Sequence, residues 1–432
     1  MNNSTHSVLI ISYYWPPAGG SGVQRWMYFA KHLKQLGWSP HVLTVTPKKA
    51  SYAVLDSSLQ QEVSDIPVSR TQTAEPLRWY SLLTTASKHK GIPQGEVKTK
   101  GLLEKLAAFV RGNFFIPDAR KGWRYFALDQ AQKLFEEKKF SFVITTGPPH
   151  SAHWIGHQLK KAFSVQWIAD FRDPWTTLFY NSQLFRMQWA KEKDLREETA
   201  ILLNADRVLT TVGGAFHEEL KSKAPQQLFY ALPNGYDSDL LRSTPQTPQK
   251  IFHIVYTGLL TENQAYDSLV NALKKVQHRH SIQLSLAGQI GQNTIEYFRN
   301  ELPHINITHH GYLPHDQAVA LMKSGDLLLN FIFKGADKTM ISGKLLEYIA
   351  TGVPILCIGD PESEAAHFLQ KGTAAVMAKP DQNKIIEECI QKAILQKGKW
   401  VNHYPELEDW SREALTKKLI QILESPLIKQ KS

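Results

Sequence analysis

Lys344 and Glu347 are three residues apart in the run Ser342-Gly343-Lys344-Leu345-Leu346-Glu347-Tyr348-Ile349-Ala350-Thr351-Gly352-Val353-Pro354. At that spacing the cation and the carboxylate lie on neighbouring turns of one helical face, and Leu345, Leu346 and Ile349 supply the apolar face that anchors the helix. Ser342 and Gly343 open the helix and offer unpaired N–H groups and a positive dipole to a phosphate. Gly352 stops it, and Pro354 starts an apolar strand, Ile355-Leu356-Cys357-Ile358. Such a helix is a place to hold a sugar nucleotide.

Three other segments carry chemistry-bearing residues at the ends of apolar runs. Gly19-Gly20-Ser21-Gly22 follows a strand and opens a helix, so its amides either line an anion or simply make a tight turn. Thr145-Thr146-Gly147-Pro148-Pro149-His150 ends an apolar strand, which places His150 either against a substrate or on a surface loop. Asp170-Phe171-Arg172-Asp173-Pro174-Trp175 gathers two carboxylates, a guanidinium and an indole, either for substrate contact or as an Arg–Asp pair that stiffens the loop. Asp237-Ser238-Asp239 has the form of a divalent-cation motif, but it follows Asn234-Gly235 and precedes Leu240-Leu241, so a helix cap explains it. His153 and His157 lie one helical turn apart with no third ligand at helical spacing.

Alternating strands and helices must position these groups. The first half opens as strand 7–12, helix 23–36 and strand 41–45, then a stretch at 51–101 without clear periodicity that reads as an insertion. Leu102 to Phe115 is amphipathic, and reads as a packed helix or a membrane-docking one. Strands 140–145, 166–169 and 207–211 and helices 153–163 and 188–204 complete this half. The polar run Pro245-Gln246-Thr247-Pro248-Gln249 puts a domain boundary near residue 245. After it, strands at 252–256, 283–286, 306–309 and 327–331 alternate with helices, which argues for a second parallel sheet covered on both faces. A last helix spans 410–424.

At 432 residues the chain suits two domains, here 1–245 and 246–432, and 42% hydrophobic with 21% charged residues describes a globular protein. Two cysteines, Cys357 and Cys389, supply neither a disulfide framework nor a metal cluster and suit a reducing cytoplasm. Val8 to Ile11 is too short for a signal-peptide core, and no apolar run approaches the roughly 20 residues that span a bilayer. The formal charge of +10 favours an anionic partner. Without a basic, aromatic-interleaved run, nucleic acid ranks behind a nucleotide-sugar diphosphate and the anionic cytoplasmic leaflet.

The pattern K-L-x-E-Y-x-A-x-G-x-P at 344–354, running into an apolar strand, resembles the donor-site signature of family 4 glycosyltransferases. That resemblance implies the α/β GT-B fold, two Rossmann-like domains facing each other across a cleft, with the C-terminal helix packing back on the first. It implies an N-terminal acceptor domain, a C-terminal donor domain, and sugar transfer from a nucleoside diphosphate sugar to a glycan or lipid-linked saccharide hydroxyl with retention. No metal or other cofactor is implied, and the site of action is the cytoplasm, with a peripheral place at the inner face of the membrane as a candidate. Glu347 would hold the ribose, and Gly19, Gly20, Gly22, Gly258, Lys334, Lys338, Lys344 and Leu346 would complete the donor site. His150, Asp170, Arg172 and Asp173 would meet the transferred sugar and acceptor, with Asp170 or Asp173 orienting the acceptor hydroxyl.

Two departures matter. The family's G-R-L-x-x-x-K loop reads Gly258-Leu259-Leu260-Thr261-Glu262-Asn263-Gln264 here, so both diphosphate-neutralising cations are gone. Thr339 stands eight residues before Glu347, where a second glutamate is usual. Either Lys344, with Lys334 or Lys338, replaces the missing pair, or the chain binds without transferring. A nucleotide-sugar epimerase is a further alternative within the same fold.

Overall fold

The computed structural model describes residues 6–52, 54–75, 102–333, 341 and 343–427. Runs such as Val8-Leu9-Ile10-Ile11 and Phe142-Val143-Ile144 lack polar alternation, as strands covered on both faces require, and they pair in parallel. One sheet holds β1 (Ser7–Ile11), β2 (Ser39–Val45), β3 (Val68–Thr71), β4 (Phe142–Gly147), β5 (Gln166–Phe171), β6 (Arg207–Thr210) and β7 (Phe229–Ala231), in the order β3-β2-β1-β4-β5-β6-β7. The other holds β8 (Phe252–Thr257), β9 (Ile282–Ala287), β10 (Asn306–Gly311), β11 (Leu327–Phe331), β12 (Ile355–Ile358) and β13 (Ala375–Ala378), in the order β10-β9-β8-β11-β12-β13. Strand order reverses between β1 and β4 and between β8 and β11, and the crevices beyond those carboxyl ends are where open parallel sheets take ligands.

The chain divides into two compact units, Met1–Pro233 with Thr416–Ser432, and Asn234–Leu415. The division therefore falls before the polar run near 245 that marks it in the sequence. Residues 236–243 belong with the second unit because the Tyr236 amide donates to the Trp410 carbonyl (3.2 Å), the Arg412 amide donates to the Tyr236 carbonyl (3.0 Å), and Tyr236 and Leu241 pack on Val319. Asp237 caps the helix Ser238–Ser243 by accepting from the Leu240 amide at 2.9 Å. In the first unit, Arg207 Nη2 donates to the Ser425 carbonyl, and His6 pairs with Glu424 at 3.6 Å.

Several elements are absent from the sequence reading, β3 and the helix after residue 122 among them. The stretch read as an insertion contains β3, a short edge strand. A helix at Trp123–Glu137 buries Trp123, Ala127, Ala131 and Leu134, and its two alanines give that face little apolar signal. The amphipathic segment is a helix over Leu102–Phe114, and both cysteines are buried. Among the described residues no helix is long and apolar enough to cross a membrane.

Candidate functional site

In the second unit the helix Gly343–Thr351 brings Lys344 to the carboxyl end of β8, beside the strand-order reversal. Lys344 Nζ donates to the Thr257 carbonyl at 2.7 Å and lies 3.6 Å from the centroid of the Tyr256 ring. Tyr348 fixes the same strand end by accepting from the Thr257 amide at 2.8 Å. Gly258 keeps this edge open, because its φ of +121° suits glycine and a Cβ there would come 3.3 Å from Lys344 Nζ. A Cβ at Gly288 would strike the Gly258 carbonyl at 2.1 Å, so the loops after β8 and β9 close on one another through glycine.

Loss of hydration brings the Lys344 ammonium down to about 7. The unfolded chain binds this proton up to about 10.5, so between the two values the folded state binds fewer protons and the lysine's contribution to stability rises with pH. A diphosphate beside Nζ favours the charged form again. Nucleotide binding at pH 8 should therefore take up a proton, seen as heats that differ between buffers of unlike ionisation enthalpy, and Lys344→Met should abolish the difference. Equal heats for the unaltered protein would contradict this reading.

Glu347 is buried, yet its carboxyl stays below the usual range, because His315 and Arg412 outweigh the loss of hydration. His315 Nε2 donates to Oε1 at 2.7 Å and Arg412 Nη2 to the same oxygen at 3.0 Å. Oε2 makes no hydrogen bond among the described residues, so the carboxylate is clamped on one oxygen and presents the other as an acceptor. Arg412 Nη1 in turn lies 3.8 Å from Asp237 Oδ2. The sequence motif contains neither His315 nor Arg412, since both reach Glu347 from other elements.

Other expected donor residues fall differently. Leu346 is packed in the core with Leu345, Tyr348 and Val353, so its side chain serves as the helix anchor. Lys334 and Lys338 lie outside the described residues. Gln264 is a buried neutral bridge, donating to the Phe331 carbonyl at 3.2 Å and accepting from the Thr261 amide at 2.9 Å. Leu259 offers its carbonyl to Tyr256 Oη at 2.5 Å. At these two positions the loop after β8 is held by neutral hydrogen bonds in place of cations.

In the first unit the two aspartates separate by role. Asp170 has no exposed surface and takes Arg25 Nη2 at 2.7 Å on Oδ1, with Trp26 Nε1 at 2.6 Å and Thr146 Oγ1 at 2.8 Å on Oδ2. Arg25 also donates to the Leu232 and Pro233 carbonyls at 2.8 and 3.1 Å, so this buried pair joins the first helix, β4, β5 and the end of the unit. With its oxygens saturated and enclosed, Asp170 is a structural group and not the acceptor-orienting carboxylate. Asp173 is half-buried and makes no hydrogen bond among the described residues. Burial pushes its carboxyl up, with Arg172 opposing and Asp170 adding to the rise.

Arg172 ties three loops by donating to the carbonyls of Gly22 (2.5 Å), Gly147 (3.2 Å) and Pro148 (2.5 Å). It thereby fixes the glycine-rich turn, where Gly20 has φ +91° and the Gly19 amide donates to the Val54 carbonyl at 3.0 Å. His150 is no surface histidine. Only 5% exposed, it stacks on Trp175 at 4.9 Å, and neither ring nitrogen reaches a hydrogen-bond partner among the described residues, although the nearby Pro174 carbonyl favours its protonated form. Burial, with His153 and Arg172 adding to it, holds His150 well below the ordinary histidine range, and His153 falls to about 3. Both imidazoles are neutral at physiological pH. They crowd Gly147, where a Cβ would meet His150 Nδ1 at 2.6 Å and His153 Nε2 at 2.7 Å.

Sequence reasoning also missed Arg120. Its guanidinium lies 5.5 and 5.6 Å from the Tyr13 and Tyr14 rings, and its Nε is enclosed without a hydrogen-bond partner among the described residues. The loop that carries it is docked through Asp118, which accepts from the Ser151 amide and hydroxyl at 2.8 and 3.0 Å.

Residues 251–394 match the family of group 1 glycosyl transferases. Among solved structures, the chain is similar to sucrose-phosphate synthase from Thermosynechococcus elongatus (16% identity, 96% of this chain and 98% of that one, TM-score 0.61). It is similar also to a glycosyltransferase from Rickettsia africae (13%, 99% and 100%, 0.63) and to HepE from Anabaena, solved with UDP and glucose (12%, 98% and 100%, 0.60). No curated protein matches the chain. The fold is that of the GT-B glycosyltransferases, and the stretch that resembles group 1 glycosyl transferases lies within the second unit.

Proposed function

We propose that this protein transfers a sugar from a nucleoside diphosphate sugar to a hydroxyl of a glycan or lipid-linked saccharide, in the synthesis of cell-surface polysaccharide or glycoconjugate. The bond from the anomeric carbon to the diphosphate breaks, a bond to the acceptor oxygen forms, and the acceptor proton leaves with the nucleoside diphosphate. The observation that carries this reading is the clamped Glu347. A carboxylate with Oε1 held by an imidazole N–H and a guanidinium, and Oε2 without a hydrogen bond among the described residues, can accept from the vicinal hydroxyls of a ribose. Lys344, three residues earlier at the end of β8, would take the diphosphate together with the first amides of its own helix. HepE's bound UDP makes a uridine nucleotide the first probe.

In the first unit Asp173 would orient the acceptor hydroxyl, and the neutral His150 would face the transferred sugar. Metal plays no part in the proposed reaction, in keeping with the use of Asp237 as a helix cap and a partner of Arg412. Retention at the anomeric carbon follows the family 4 resemblance. A second reading, a subunit that binds without transferring, draws on Leu259 and Gln264 standing where cations are usual.

The test is acceptor-dependent release of nucleoside diphosphate, with the glycoside detected by mass spectrometry. Asp173→Asn should lower turnover by about 100-fold or more while the melting-temperature rise given by donor persists. Release without acceptor would point to the epimerase alternative, and donor binding without release to the binding subunit.

A further inference from the structure

Exposed large hydrophobic side chains of the first unit gather on adjoining segments, Leu106 and Phe114 on the helix Leu102–Phe114 and Phe185, Met187 and Trp189 on the stretch leading into the helix Gln188–Asn204. Phe114 and Trp189 are each about half exposed and meet edge to face at 6.0 Å. This surface is held by a dedicated set of bonds. Asn113 donates to the Phe185 carbonyl at 3.2 Å and accepts from the Met187 amide at 2.7 Å, and Arg186 Nε donates to the Gly112 carbonyl at 3.1 Å. Gly112 is required for the approach, since a Cβ there would lie 2.5 Å from the Leu184 carbonyl. Phe185 itself has φ +47°, a left-handed conformation unfavourable for a bulky aromatic residue. Strained backbone that turns an aromatic ring outward implies a use for the ring.

Cations border the aromatic residues. Lys121 donates to the Phe114 carbonyl at 2.7 Å, and burial pulls its ammonium down, with the neighbouring charges of Lys193 and Arg124 adding to the fall and Glu197 and Tyr125 opposing it. Arg124 lies 4.8 Å from the rings of both Tyr125 and Trp154. Crowded cations beside exposed Phe and Trp suit anionic headgroups with the aromatic rings at the acyl boundary.

We propose that this face docks the protein on a bilayer of anionic phospholipid. It deepens the proposed function by naming the surface on which a lipid-linked acceptor would be met, and vesicle binding stands or falls apart from sugar transfer. The full-length protein should co-sediment with phosphatidylcholine vesicles containing phosphatidylglycerol at low salt, and far less with phosphatidylcholine alone or at high salt. Lys121→Glu with Lys193→Glu, and separately Phe114→Ser with Trp189→Ser, should each weaken that binding about tenfold at unchanged donor-induced melting shift. Failure of the unaltered protein to bind, or full binding by both variants, overturns the proposal. So does a dimer in sedimentation velocity that these same substitutions dissociate, which would make the face an interface between two copies of the chain.

Discussion

Glu347→Ala is expected to destabilise the second unit by about 3–5 kcal/mol, the usual consequence of removing one partner of a buried ion pair. Arg412 Nη2 and His315 Nε2 would both lose their shared acceptor, while Arg412 Nη1 would keep Asp237 at 3.8 Å. Adding Arg412→Met removes the uncompensated charge and should restore most of that stability. It should not restore the melting-temperature rise given by nucleotide, since the acceptor for the ribose hydroxyls is still missing. Urea unfolding of the single and double variants measures the first effect, and nucleotide-dependent melting the second. A double variant that still responds to nucleotide would remove Glu347 from the donor site.

Asp170→Ala should lower the stability of the first unit by a similar amount, about 3–5 kcal/mol. The substitution strands the buried Arg25 guanidinium and takes the acceptor from Trp26 Nε1 and Thr146 Oγ1. The nucleotide response of the second unit should persist wherever the protein remains folded. Asp173→Asn should behave in the opposite way, with stability close to that of the parent and acceptor turnover lost. Were Asp170 the acceptor-orienting carboxylate, its replacement would spare stability and reduce turnover instead. The two aspartates are three residues apart in sequence, so this pair of variants separates scaffold from chemistry in one loop.

That separation marks how far the sequence could be read. Apolar runs without alternation, the glycine stops and the Asp237 cap are local signals, and they foretold the parallel sheets and the helix bearing Lys344 and Glu347. The partners that decide what those side chains do are distant in sequence. His315 lies 32 residues and Arg412 65 residues from Glu347, while Arg25 and Asp170 are 145 apart. No periodicity encodes such pairings, because they arise only when separate strands and helices converge. Asp170 and Asp173 are for the same reason indistinguishable as residue types in one motif, and burial alone tells them apart. Leu346 shows the converse, a motif residue whose side chain packs into the core. The helix at Trp123–Glu137 escaped notice because alanines fill the positions where a larger apolar residue would have revealed its buried face.

The most direct test of a nucleotide-sugar site at Glu347 is calorimetric titration of the full-length protein with a panel of nucleoside diphosphate sugars, beginning with the uridine series, in parallel with the Glu347→Ala/Arg412→Met variant. The expected result is one-to-one binding of at least one member by the unaltered protein and none by the variant. Equal binding by both proteins, or no binding of any nucleoside diphosphate sugar by the unaltered one, would contradict it.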